Sequence, residues 1–156
     1  MKHPIRRRFL YLGFQTLRAL VRWLPFGLAR AVGRHLGRLA YVVLPAQRRL
    51  TLAHLEFALG DALTSSQRRR IAQRVFMNLG QNVLEWLLLP RLSTKALQQL
   101  VISEGVDHVR QALAKGDGAI IVTAHFGNWE FIPLYLKSLG FDGAVLARRL
   151  RYPEYE

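Results

Sequence analysis

Cysteine is absent from all 156 residues. That excludes a disulfide framework, a thiolate nucleophile, covalent acyl-cysteine chemistry and any cysteine-based metal site. The five histidines, at positions 3, 35, 54, 108 and 125, are scattered without metal-ligand spacing, so neither a metal nor another cofactor is expected. Acidic residues are missing from the whole of residues 1–55, which carry eleven Lys or Arg. A membrane-crossing helix needs roughly 20 mostly apolar residues, and Arg18 with Arg22 interrupts the first segment that approaches this.

The missing acids locate the charge. Residues 56–156 hold twelve basic and ten acidic residues, so the net charge of +13 divides as +11 in the first third and +2 in the remainder. A basic block of this kind suits an anionic membrane surface, an acidic protein or nucleic acid. No groove-reading pattern accompanies the arginines, so nucleic acid is not expected as a partner. With 51% apolar residues, the chain is rich enough to bury one sizeable core.

From Ile5 to Leu24, the polar residues Arg8, Tyr11, Gln15, Arg18 and Arg22 recur at three- and four-residue steps. Leu10, Phe14, Leu17, Val21 and Leu24 share the opposite face, which predicts an amphipathic helix with a cationic stripe. A second helix is expected from Phe26 to Leu44, with Arg30, Arg34 and Arg38 on one face and Leu28, Val32, Leu36, Leu39 and Val43 on another; Pro45 stops it. Residues 1–45 are thereby expected to form a basic hairpin lying in the headgroup layer, against the plainer reading of a hairpin packed on the domain with its arginines in water. Lys2 and Arg6–Arg8 resemble the start of a signal peptide, but the apolar stretch Phe9–Phe14 is short and no cleavage site follows. The segment is expected to stay on the mature protein, and its charge favours the cytoplasmic side of a membrane.

Residues 46–99 are expected to be a helical region packed on the core. A short helix is expected through Leu52, Leu55 and Leu59, then a long one from the caps Thr64–Ser66 to Leu89, ahead of Pro90. Ile71, Val75, Leu79, Val83 and Trp86 mark its expected core stripe, beside a polar seam of Asn78, Gln81, Asn82 and Glu85. Ser93 caps a short helix to Leu100.

The rhythm then changes. Leu100–Ser103, Ala119–Thr123 and Ala144–Ala147 read as strands, and Val106–Lys115 and the segment after His125, ending at Gly140, as helices. The expected class is therefore α/β, an N-terminal α-helical region followed by a parallel βαβαβ unit over residues 100–156.

The junction Thr123-Ala124-His125-Phe126-Gly127-Asn128-Trp129-Glu130 is the candidate site, because open α/β sheets place ligands at the carboxyl ends of their strands. His125 can exchange a proton near neutral pH, and Glu130 is placed to orient it. Five residues on a continuous helix would set the pair about 140° apart, so the chain must turn between them. Gly127 permits the turn, and Asn128 is expected to cap a helix from Trp129 whose free N–H groups would favour an anion or developing oxyanion. A solvated His and Glu on an ordinary surface is the plainer alternative.

The string HFGNWE, led in by GDGAIIVTA and with Gly105 opening the preceding helix, resembles the bacterial lipid A biosynthesis (lauroyl/myristoyl) acyltransferase family, within the lysophospholipid acyltransferase superfamily. The resemblance spans the whole chain and matches the family's N-terminal half, an incomplete acyltransferase domain, which leads us to expect a fragment. It implies transfer of a fatty acyl chain from an acyl carrier protein or coenzyme A thioester to a hydroxyl of a lipid A precursor or related glycolipid. It also implies a peripheral or monotopic place on the cytoplasmic face of the inner membrane. His125 would be the general base and Glu130 its orienting partner, with Gly127 and Asn128 near the substrate. The family has a glutamate near Glu85 and an arginine at the end of the third strand, matched by Arg148. An Asn-Pro follows there in the family, where this chain has Tyr152 and Pro153. Arg148 would hold a phosphate or the charge developing on the thioester carbonyl, unless it belongs to an ordinary basic surface cluster. A membrane-surface binding protein without catalytic activity is the competing reading.

Overall fold

The computed structural model describes residues 4–116 and 118–146, with side chains from Tyr11 onward. Seven α-helices lie within the described residues: α1 Pro4–Val21, α2 Phe26–Val43, α3 Pro45–Leu59, α4 Ser65–Leu88, α5 Thr94–Leu100, α6 Val106–Ala114 and α7 Phe131–Ser138. They fall into two compact units, Met1–Pro90 and Arg91–Glu156.

Local chemistry sets the helix ends in the first unit. Pro45 follows the end of α2 and opens α3, where a missing N–H costs nothing at the first helical position. The connecting stretch read as a short helix is thus a full helix of 15 residues. Thr64 and Gln67 form a reciprocal capping box on α4. Arg68 closes the turn before it by donating to the carbonyls of Gly60 and Leu63 at 2.9 and 2.8 Å.

The first unit is built on an antiparallel crossing of α2 and α4. Ala29, Gly33 and Gly37 are the buried residues of α2. A Cβ on Gly33 would lie 2.6 Å from the Gly80 carbonyl oxygen, and one on Gly37 would collide with the backbone of Phe76. The two backbones therefore touch, which only glycine permits. Val21, Ala29, Leu84, Leu87 and Leu88 form the apolar centre, with Phe14, Leu24, Phe26 and Val32 against it. Tyr41 meets Phe76 edge-on at 5.5 Å, and the Arg48 guanidinium lies over the Tyr41 ring.

This crossing corrects the expected core stripe of α4. Ala72, Phe76, Leu84, Leu87 and Leu88 are buried, whereas Val75, Leu79, Val83 and Trp86 are exposed. Small residues on α2 draw in the face of α4 that brings the backbones closest, and the larger aliphatic row is left outside.

In the second unit, α5 and α7 are joined by a Gln98 amide donating to the Ser138 carbonyl at 2.8 Å. A 2.7 Å hydrogen bond links the Ser103 and Tyr135 hydroxyls. The expected parallel βαβαβ unit is not present among the described residues. Val101–Ser103, Ala119–Thr123 and Ala144–Leu146 have no strand assignment, and Leu100 ends α5. β-branched residues favour a strand only when a neighbouring strand pairs with it and a layer covers it. Here Ile102, Ile120 and Val122 are each at least 90% exposed. Ala147 lies outside the described residues.

Candidate active site around His125

The loop between α6 and α7 holds the HFGNWE sequence. The N–H of Phe126 donates to the Ala124 carbonyl at 2.8 Å, and Gly127 takes the left-handed conformation at φ 58°. That glycine reverses the chain as its sequence position suggests, because a side chain there would strain the backbone.

Helix α7 begins two residues later than expected, after Glu130, which makes no side-chain cap. Asn128 contributes its backbone carbonyl, accepting from the N–H of Phe131 at 3.2 Å, while Trp129 accepts from Ile132 at 3.0 Å. Residue 133 is proline and has no N–H. The first three helical positions of α7 therefore offer no free donor.

His125 is exposed, and its ring leans on Trp129 with centroids 4.4 Å apart and planes tilted by 46°. This contact orients the imidazole while leaving its edge open to solvent. Glu130 is also exposed and shares no hydrogen bond with His125 among the described residues. Trp129 was not singled out from the sequence; the signal was its place in the HFGNWE string. An apolar cavity of about 270 Å³ lies in the same unit, lined by residues including Val101, Val106, Val109, Ile121, Phe131 and Leu136.

Glu85 is the one buried charged residue among those described, on α4 in the first unit. Arg30 Nε lies 3.0 Å from its carboxylate, and the Gln81 amide donates to the same oxygen at 2.8 Å. Its carboxylate thus ties α2 to α4. Arg148 lies outside the described residues, as do Tyr152 and Pro153. No cluster of His or acidic side chains able to hold a metal occurs among the described residues.

His125 is thus an exposed histidine held against Trp129 beside a glycine turn, in the unit that also carries the apolar cavity. The family model for bacterial lipid A biosynthesis acyltransferases matches residues 1–155, and the chain belongs to that family. Acyl transfer to lipid is thus its general class of function. Comparison with curated proteins and with solved structures finds no match. Among the described residues, no helix is long and apolar enough to cross a membrane.

Proposed function

We propose that this chain moves a fatty acyl group from an acyl carrier protein or coenzyme A thioester to a hydroxyl or hydroxyacyl group of a lipid A precursor or related membrane glycolipid. The observation that carries this reading is the open imidazole of His125 on the glycine turn, within a segment matched by the acyltransferase family. In the loaded site His125 takes the acceptor's hydroxyl proton while Glu130 holds the other ring nitrogen. That hydrogen bond forms only when substrate is bound. The alkoxide attacks the thioester carbonyl, the tetrahedral intermediate expels the thiolate, and the imidazolium returns the proton to sulfur.

Gly127 and Asn128 shape the turn around the acceptor. With the start of α7 closed, the charge on the tetrahedral oxygen falls to Arg148. The apolar cavity supports a reading in which it receives part of the acyl chain. Glu85 meets Arg30 and Gln81, which supports a part in holding α2 on α4. The protein works at the cytoplasmic face of the inner membrane as a peripheral or monotopic protein, with the basic first third against anionic lipid.

The test is acyl transfer by the purified chain in mixed micelles of acceptor lipid, with either thioester as donor. His125→Ala is expected to lower turnover by at least about 10²-fold. Its circular dichroism and melting temperature should match the parent. Unchanged turnover would remove His125 as the base. No turnover in the parent, with vesicle binding intact, would favour the binding-protein reading, which the arginine row of α2 supports.

A further inference from the structure

The α2–α4 pair carries two apolar faces. Its crossing buries the small residues Ala29, Gly33, Gly37 and Ala72 together with Phe76 and Leu84, while a second set, Leu28, Leu36, Leu39, Leu79 and Val83, remains about half exposed. In water a large apolar residue is buried wherever a partner exists, and helices that pack in lipid place small residues where their backbones touch and leave large ones outside.

The rows also have a common side. On α2, Leu28, Val32 and Leu36 each come one residue before the buried Ala29, Gly33 and Gly37. On α4, Val75, Leu79 and Val83 each come one residue before Phe76, Gly80 and Leu84, which face the crossing. One residue is about 100° of helix rotation, in the same sense on both helices. Gly33 meets Gly80 and Gly37 meets Phe76, so the helices run antiparallel. Turning one antiparallel helix onto the other preserves that sense and keeps the same side up. Both apolar rows consequently lie on one side of the pair. An independent contact agrees: Arg30 and Glu85, each one residue after a buried position, meet at 3.0 Å on the other side.

We infer that the α2–α4 pair lies in the plane of a bilayer, with this shared apolar side sunk into the acyl region of one leaflet. The inference deepens the membrane-surface part of the reading above and rests on it. Charge selects lipid as the occupant. Arg34 and Arg38 continue the Arg30 row on the far side of α2, and residues 1–55 contain no acid to repel anionic headgroups. A helix is about 10 Å across with its side chains, so arginines on its upper face reach phosphate level when the lower face is submerged. Phe14 of α1 reaches the Trp86 end of the apolar side, with ring centroids 6.4 Å apart.

The absence of cysteine makes a direct test available. Nitroxide labels on Leu36→Cys, Leu79→Cys and Arg34→Cys of the full chain are compared with and without phosphatidylcholine/phosphatidylglycerol vesicles, with helicity checked by circular dichroism. Leu39→Cys replaces Leu36→Cys should the latter lose helicity. Labels at 36 and 79 are expected to lose at least about threefold in collision with a nickel chelate and to gain collision with oxygen, while the label at 34 keeps its chelate contact. Vesicle binding is expected to persist in about 0.5 M salt, where surface charges are screened within a few ångströms.

Labels unaffected by vesicles would overturn the inference. Protection at 36 but not 79 would overturn the shared side, and release by salt would reduce the contact to electrostatic adhesion. Equal protection by an acidic protein in the absence of lipid would assign the surface to that partner instead. None of these readouts depends on turnover, so loss of activity in His125→Ala and failure of the membrane inference are separate results.

Discussion

The two units treat their apolar residues in opposite ways. In Met1–Pro90 the helices close to backbone contact over three glycines, and a set of leucines and aromatics fills the centre. In Arg91–Glu156, Leu97 is the one buried apolar side chain among the described residues, and the β-branched runs around residues 102, 120 and 122 face water. The lesson lies in geometry and not in composition. A helix satisfies its own backbone and needs a partner only for one face, whereas an extended segment must find a neighbour for its hydrogen bonds before its side chains can form a layer. The candidate catalytic loop belongs to the second unit, where its conformation rests on short-range bonds.

A single methyl group at matching positions offers the sharpest way to break this contrast. Gly37→Ala puts a Cβ into the Phe76 backbone and is expected to destabilise the first unit by about 2–3 kcal/mol. Gly143→Ala places the same methyl in open space and is expected to leave stability within about 0.5 kcal/mol of the parent. Urea denaturation followed by far-ultraviolet circular dichroism measures both. Equal costs would show that backbone contact does not distinguish the units.

Removing the polar tie across the same crossing should do less. Arg30→Ala leaves the Glu85 carboxylate 7% exposed with one ionic partner fewer. Because Arg30 is itself half exposed, water replaces part of the lost contact, and the expected cost is about 1–2 kcal/mol. Replacing both partners, Arg30→Met with Glu85→Leu, should recover most of it in the same urea titration.

The smallest effect belongs to the surface of the second unit. Lys137 donates a 2.6 Å hydrogen bond to Asp142, and this bond, with the lysine charge, holds the carboxyl below its ordinary range. A lowered folded-state pKa contributes stability above the unfolded value, and that contribution is lost as pH falls through the folded value. Asp142→Asn should therefore lower the melting temperature marginally at pH 7 and not at all well below the ordinary aspartate value of 3.8. A difference that grows on acidification would contradict the pairing.

Much of the first unit was legible from residue type and period. The start of α4 within Thr64–Ser66 and the end of α2 ahead of Pro45 follow from the few residues at each boundary, as does the Ser93 cap in the second unit. The buried face of α4 was not legible, because periodicity ranks a row of Ile71, Val75, Leu79 and Val83 above a row of Ala72, Phe76, Gly80 and Leu84. The three glycines carried the missing signal, at a spacing that becomes informative once two helices are known to cross. At the candidate site the Gly127 turn was legible, whereas the closed start of α7 was not. Its closure depends on two carbonyls, Asn128 and Trp129, that bend back onto the helix instead of leaving it to an Asn cap.

By itself the sequence determined the family, through HFGNWE and the match along residues 1–155, together with the charge asymmetry and the positions where helices begin. Those features are local or additive, so they survive without knowledge of contacts. The tertiary structure decided which face of each helix is inside, that Glu85 serves Arg30, and that the apolar rows of α2 and α4 share a side. Each depends on how closely two backbones approach, a distance fixed jointly by residues far apart in the chain.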